Sequence, residues 1–507
     1  MIALARTEGL RLLRHPAILV SLLVLSPLVY WATADPDWRY PVLHDADQWT
    51  QPSALLFGAA TLLVSNLAVT RAHRSGATEM LDVLTLPPAV RTAAHLLALL
   101  PLALVTGVLV SVHMLVLATV GTAAGSPNPF ELATGPVVVL LFGAIGVLLG
   151  RIVQSAVVAP LLTVVFAAAT FVLLAGPPGT NQNWFLPIVP ASGGDPLLVP
   201  PSVPADLMTR PAAAHLLYLV GLLALAASIA LLLSGGGGKI AATIALAVTV
   251  AAGALQSVPP DQSNLAARIT ATQRPATIEH CRQLNHVNYC AFDGFDPWIK
   301  EWDAVVQGVL RRMPPSAVAG PVTVRQRVYA AGYPDHSVVV HPDSPSPQPL
   351  VDAWRADDQA AGTPDAITVG TRWGDGWSET SLAGRLAYDL IAHTGPGVSD
   401  ELCGARGVLV GWLAGQATEG TRAGLHTVAS NSRGGIAFLE SGFPAAISLD
   451  PRATALTWTL LERPDADVAR QVLASWAELS APGTTVERAA QLFGVATPAS
   501  EGQGPCG

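Results

Sequence analysis

Lysine is almost missing from this chain: Lys239 and Lys300 are the only two among 28 basic residues. Charge of either sign is scarce too, at 13% of residues against roughly 25% in an ordinary soluble domain. No basic tract exists that would hold a nucleic-acid backbone, which excludes nucleic acid as a partner. The preference for Arg, with abundant Ala, Gly and Pro, reads as the codon bias of a GC-rich bacterial genome. Cysteine is absent until residue 281, and the four present are Cys281, Cys290, Cys403 and Cys506. They form no CxxC pair and no close Cys/His quartet, so no metal site is expected.

The scarcity of charge is uneven. Residues 1–258 carry 10 Lys/Arg and 10 Asp/Glu, and residues 259–507 carry 18 and 26. The whole net charge of −8 therefore sits in the second half. The two halves are built for two solvents.

The first half is rich in apolar runs. A bilayer core of about 30 Å takes roughly 20 apolar residues in helical form. Seven segments approach that length: 17–33, 53–70, 93–121, 134–150, 155–176, 212–233 and 240–257. Arg6, Arg11, Arg14, Arg71, Arg74, Arg91, Arg151 and Lys239 fall before the first span or in alternate loops, and the opposite loops hold only Arg39 and Arg210. Eight against two places the N-terminus in the cytoplasm. An odd number of spans then puts residue 259 onward outside. All four cysteines lie in that exterior half, where disulfides form. Four cysteines allow three pairings, of which Cys281–Cys290 with Cys403–Cys506 is the expected one. A rival reading takes residues 1–34 as a signal peptide ending in Ala32-Thr33-Ala34; cleavage there would leave six spans and the same exterior C-terminus.

Span interiors carry no Asp, Glu, Lys or Arg, and their polar side chains are few: Asn66, His113, and His95 and His215 near ends. Ion-coupled carriers need ionisable groups at membrane depth, so this chain takes its energy from elsewhere. Pro101 and Pro160 can kink their helices without further meaning. The stretch Ser234-Gly235-Gly236-Gly237-Gly238-Lys239 is not a phosphate loop: Ile240 stands where Ser or Thr would hold magnesium, and apolar spans flank it.

Residues 1–16 form a short basic amphipathic segment (Leu4, Leu10, Leu12 and Leu13 among Arg6, Arg11 and Arg14) that would lie in the membrane interface. Spans two and three are joined by RAHRSGATEMLDVLTLPPAVRTAAH at 71–95, and spans five and six by an external loop at 177–211. This layout resembles the type-2 ABC exporter permeases over about residues 1–235. The resemblance implies a coupling loop, with Arg71, Arg74, Gly76, Glu79, Leu81, Leu84, Pro88 and Arg91 docking on a separate ABC ATPase subunit. It also implies a homodimer or heterodimer of permease chains. ATP would be used by the partner, and the chain itself would hold no cofactor. The added seventh span, the large exterior domain and the lack of an ATPase domain depart from the family.

Residues 259–507 read as one mixed α/β domain. Ile299, Trp302, Val306, Val309, Leu310 and Met313 recur at helical spacing over 297–313. Val322, Val324 and Val328 alternate with Thr323, Arg325 and Arg327, which predicts a half-buried strand, with more strands near 336–341 and 366–372. Helices are expected at 380–393, 404–417, 465–480 and 485–494, the last opened by a capping box of Thr484 and Glu487. The Pro/Ser run at 342–349 is a loop. Tyr388-Asp389-Leu390-Ile391-Ala392-His393, with Trp412 beyond, resembles a degenerate zinc-protease helix, but Tyr388 and Ala392 occupy the two ligand positions. Ser441-Gly442 lacks the flanks of a serine-hydrolase elbow, and His336 and His341 fall on opposite faces of their strand.

The expected fold is therefore a polytopic α-helical membrane protein of about seven spans, N-terminus in and C-terminus out. Its parts are an interfacial segment (1–16), a permease-like bundle (17–258) and a mixed α/β extracytoplasmic domain (259–507). The expected place is the cytoplasmic membrane of a bacterium. The expected function is the permease subunit of an ATP-driven exporter, with no catalytic site in this chain and an exterior domain for gating or partner interaction. The alternatives are a membrane-anchored sensor or scaffold, and an inactive protease-like domain.

Overall fold

The computed structural model describes residues 1–33, 39–76, 86–155, 157–174, 185–188, 202–208, 210–258, 262–318, 320–328, 348–374, 376–392, 399–431, 435–439 and 446–499. Among the described residues the first half holds α1 (Ile2–Leu13), α2 (Pro16–Thr33), α3 (Leu43–Trp49), α4 (Gln51–Arg74), α5 (Pro88–Leu97), α6 (Leu100–Ala118), α7 (Pro129–Ile152), α8 (Val158–Leu174), α9 (Ala212–Leu233) and α10 (Lys239–Gln256). Each of the seven apolar runs is helical over most of its described residues, the one at 93–121 over two helices. Among the described residues, five helical stretches are long and apolar enough to cross a membrane: Leu43–Arg74, Pro88–Ala118, Pro129–Ile152, Ala212–Leu233 and Lys239–Gln256.

The run expected at 93–121 is two helices. Pro101 has no N–H to give the Leu97 carbonyl, and the helix breaks at Ala98–Leu99, one turn earlier. α7 begins earlier than its apolar run, because Asn128 caps it, accepting from the Phe130 N–H at 3.0 Å, with Pro129 next.

α4 and α7 pack most intimately. Ser65 Oγ donates to the Gly143 carbonyl at 3.0 Å and Asn66 Nδ2 to that of Gly146 at 3.4 Å. A Cβ at Gly146 would stand 2.3 Å from the Leu62 carbonyl oxygen, so glycine is what lets the backbones meet. Leu102, Val139, Phe57 and Ile18 fill the interior around this seam.

The second half is a mixed α/β domain. Strands β1 (His280–Leu284) and β2 (Val287–Ala291) make a hairpin whose two turn residues, Asn285 and His286, both take positive φ, the requirement of a two-residue turn of this hand. β2 then runs parallel to β3 (Val322–Gln326), and β3 to β4 (Ile367–Val369), giving the order β1-β2-β3-β4. Helix α11 (Gln262–Gln273) precedes the sheet. Crossovers α12 (Ile299–Leu310) and α13 (Gln348–Ala360) join its parallel strands, and α14 (Trp377–Ala392) follows it. A smaller sheet combines β5 (Ser399–Leu402), β6 (Ala437–Leu439) and β7 (Ala446–Leu449), in the order β5-β7-β6. Helices α15 (Gly404–Gln416), α16 (Glu419–Asn431), α17 (Pro451–Leu461), α18 (Asp465–Ala474), α19 (Trp476–Leu479) and α20 (Val486–Phe493) complete the chain.

Three expectations change in detail. β3 is buried on both faces, not one, because a parallel strand between crossovers is covered on each side. The predicted helix 465–480 breaks at Ser475, giving α18 and α19. The cap of α20 is Thr485, which accepts from Arg488 N at 3.3 Å, while Thr484 turns its hydroxyl to the Glu478 carbonyl at 2.6 Å. Four helices, α11, α13, α16 and α17, have no counterpart in the sequence reading. The expected strand at 336–341, most of the 342–349 loop, His393 and Ser441-Gly442 lie outside the described residues.

Candidate functional site

The two ends of the helical bundle differ in chemistry. At one end, Glu8 of α1 is 4% exposed and receives Arg11 Nη1 at 2.8 Å and Arg71 Nη1 at 3.2 Å. That carboxylate pins the amphipathic segment to the last turn of α4, where the expected coupling loop starts. Thr92 and Ser234 share a hydroxyl hydrogen bond of 2.6 Å, tying α5 to the end of α9 at the same end. Of the expected docking residues, Arg71, Arg74, Gly76, Pro88 and Arg91 stand on or beside α4 and α5. Glu79, Leu81 and Leu84 lie outside the described residues.

The other end carries the α/β domain on three loops of the bundle. Gly125 N donates to the Gly294 carbonyl at 3.0 Å, and Trp298 Nε1 to the Thr122 carbonyl at 2.7 Å. Both glycines hold positive φ, and a Cβ on Gly294 would stand 2.9 Å from Gly125 Cα. Leu43 N reaches Ala124 O and Ala124 N reaches Pro41 O, each at 2.8 Å. His44 Nε2 donates to the Val203 carbonyl at 2.9 Å, with its ring edge-on to Phe295 at 6.4 Å. Ala124, Val203 and Leu207 belong to the same apolar core as Trp298, Trp302 and Trp412. The domain and the loops share one interior.

Tyr40 packs half-buried into this joint. Its hydroxyl donates to Glu301 Oε2 at 3.1 Å, and a Cβ on Gly374 would meet its ring at 2.3 Å. Burial, then the Glu301 charge, pushes its pKa up to about 12, so it stays a neutral donor. Beneath the joint, Arg210 Nε donates to Glu131 Oε1 at 2.9 Å, both side chains almost fully buried. Gln51 Nε2 also donates to Glu131, and Asn128 N donates to Asp47 Oδ2 at 2.6 Å. In sequence Arg210 counts only as one of two basic residues in its set of loops; the fold pairs it with Glu131 of α7. Tyr40 and Trp298 were not singled out by sequence; an aromatic immediately after Arg39 in a short loop was the available signal.

A buried ionic cluster lies on the far face of β3. Arg325 binds Glu279 and, through Nε at 3.1 Å, Asp358; Arg327 binds Asp358 and donates to Thr368 Oγ1 at 3.0 Å. The Arg327 guanidinium lies 4.8 Å over the Trp354 ring. Burial raises the Glu279 pKa to about 8 against the pull of Arg325 and Arg327, and raises that of Asp358. The cluster is internally paired.

Cys281 and Cys290 are bonded across directly paired positions of β1 and β2. Cys403 is disulfide-bonded as well; its expected partner, Cys506, lies outside the described residues. On α14, Tyr388 is 2% exposed within the core, and Trp412 of α15 is fully buried there. Among the described residues no three His, Cys, Asp or Glu side chains stand close enough to hold a metal ion.

Fold and geometry thus define a class: an apolar multi-helix bundle, suited to a membrane, fused at one end to an α/β domain. No family model, curated protein or solved structure matches the chain.

Proposed function

We propose that this chain is the membrane subunit of an ATP-driven exporter of the type-2 ABC permease kind. Seven helices cross the membrane, the N-terminus lies in the cytoplasm, and the α/β domain caps the exterior mouth. The observation that supports this reading is the polarity of the bundle. The arginine-bearing loops gather at one end, where Glu8 straps α1 to Arg71, and the disulfide-bearing domain sits at the other. Arginine-rich ends belong on the cytoplasmic side. A separate ATPase docks on residues 71–95 there, chiefly through Arg71, Arg74, Gly76, Glu79, Leu81, Leu84, Pro88 and Arg91. ATP hydrolysis moves α4–α6, and the cap, continuous with the outer loops, moves with the exterior ends of those helices.

Affinity purification from native membranes tests the proposal. An ATPase subunit is expected to copurify with the chain and to be weakened or lost in Glu79→Arg. Recovery of the chain with no ATPase, in wild type and variant alike, would leave a membrane-anchored scaffold in its place.

A further inference from the structure

At the arginine-bearing end of the bundle, one guanidinium lacks a counterion among the described residues. Arg151 stands in the last turn of α7, half-buried, with its Nε shut off from solvent and without a hydrogen-bond partner. The charge that acts on it is a like one, Arg91 of α5. Glu8, the described carboxylate of that end, already receives Arg11 at 2.8 Å and Arg71 at 3.2 Å. His95, one turn along α5 from Arg91, lies within electrostatic reach of Glu8, Arg71, Arg91 and Arg151 alike. Helices α1, α4, α5 and α7 thus gather three guanidinium groups around one imidazole, with one carboxylate among them.

A cation in the last turn of a helix complements the exposed carbonyls there, but those are partial charges and leave the Nε–H without an acceptor. Two like charges partly shut off from water are costly. An anion placed between them would relieve the repulsion and accept from the free donor, and the planar fork of arginine fits a phosphate. The surroundings decide which anion. Ile152, next to Arg151, is 58% exposed, Val153 39% and Val157 70%. These side chains carry the hydrocarbon-facing surface of the bundle up to the level of the guanidinium. A soluble anion would leave them bare, whereas a phospholipid brings acyl chains to cover them. A zwitterionic headgroup would add a cation to arginines already in repulsion, so the net-anionic kind fits.

We infer that Arg151, with Arg91 and His95 beside it, binds the phosphate of an anionic phospholipid, whose acyl chains lie along Ile152, Val153 and Val157. The inference rests on the helices lying in a bilayer. It is independent of ATP-driven export and of which side of the membrane this end faces.

The test uses the full chain in a non-ionic detergent, with phosphatidylglycerol as the probe and phosphatidylcholine as its zwitterionic counterpart. Native mass spectrometry is expected to find phosphatidylglycerol retained on the wild type and about tenfold less on Arg151→Gln. Arg14→Gln, the same change of charge at an exposed arginine of that end, should keep it. Arg151→Lys, which retains the charge and loses the fork, should fall between. Because no described carboxylate depends on Arg151, Arg151→Gln should melt no lower than wild type in lipid-free detergent. Phosphatidylglycerol should raise the melting temperature of the wild type and not of Arg151→Gln. Equal retention by wild type and Arg151→Gln, or equal losses in Arg151→Gln and Arg14→Gln, would overturn the site. So would a lower melting temperature of Arg151→Gln without lipid, which would make the arginine a packing element. Equal stabilisation by phosphatidylcholine or by inorganic phosphate would overturn the anionic-phospholipid assignment. Loss of a copurifying protein from Arg151→Gln, with lipid retention intact, would give the guanidinium to a protein partner instead.

Discussion

Val322, Val324 and Val328 face one side of β3 and Arg325 and Arg327 the other, the alternation that marks a strand with one wet face. The fold instead closes α13 over the arginines and supplies Glu279, Asp358, Thr363 and Thr368 as partners. A one-dimensional pattern cannot show this, because the partners come from residues up to 46 positions away. Removing the buried Arg327 guanidinium strips Asp358 of one of its two cationic partners, leaving Arg325 alone, and empties the space over Trp354, at a cost of about 3 kcal/mol. Arg327→Ala is therefore expected to lower the stability of the α/β domain by about that amount. Tryptophan-fluorescence unfolding of the full chain in detergent would register it as a clear fall in midpoint. Arg327→Lys should also destabilise, since an ammonium cannot bridge Asp358 and Thr368 as the planar fork does.

At the scale of the element, the apolar runs were legible as helices because composition alone marks a segment built for an apolar solvent, and five helical stretches among the described residues are long and apolar enough to cross a membrane. Ends and breaks were less legible. Pro101 divides one run into α5 and α6, and Asn128 with Pro129 starts α7 ahead of its apolar stretch. Pairing of spans was not legible at all: Gly143 and Gly146 are unremarkable in an apolar run until Ser65 and Leu62 lie against them. Gly146→Leu should force α4 and α7 apart and lower the thermal stability of the solubilised protein, read by loss of monodisperse material on size-exclusion chromatography after heating. Gly121→Ala, at a glycine with nothing within 4 Å, should leave it unchanged.

At the scale of the molecule, the domain and bundle meet through Tyr40, Thr122, Trp298 and the Gly125–Gly294 pair. Trp298 is fully buried at this joint. Trp298→Ala removes both its packing and the hydrogen bond to Thr122, at about 3–5 kcal/mol. Limited proteolysis is expected to show faster cleavage in the loops under the domain, with α4–α7 still resistant. Unchanged cleavage would mean that the joint does not hold the domain in place.

The sequence by itself determined the solvent of each half, because hydropathy and charge are additive along the chain. It also set an arginine-bearing set of loops apart from the rest, and the Cys281–Cys290 bond it expected is present, although four cysteines by themselves leave three pairings open. Tertiary structure alone decided what the remaining charges do. Arg210 on Glu131, Arg71 on Glu8 and Arg327 on Asp358 are each joined across at least 31 residues. Tertiary structure also decided that three loops of the bundle finish the core of the domain they carry. Such contacts depend on which surfaces are brought together, and no local pattern encodes a partner that distant in the chain.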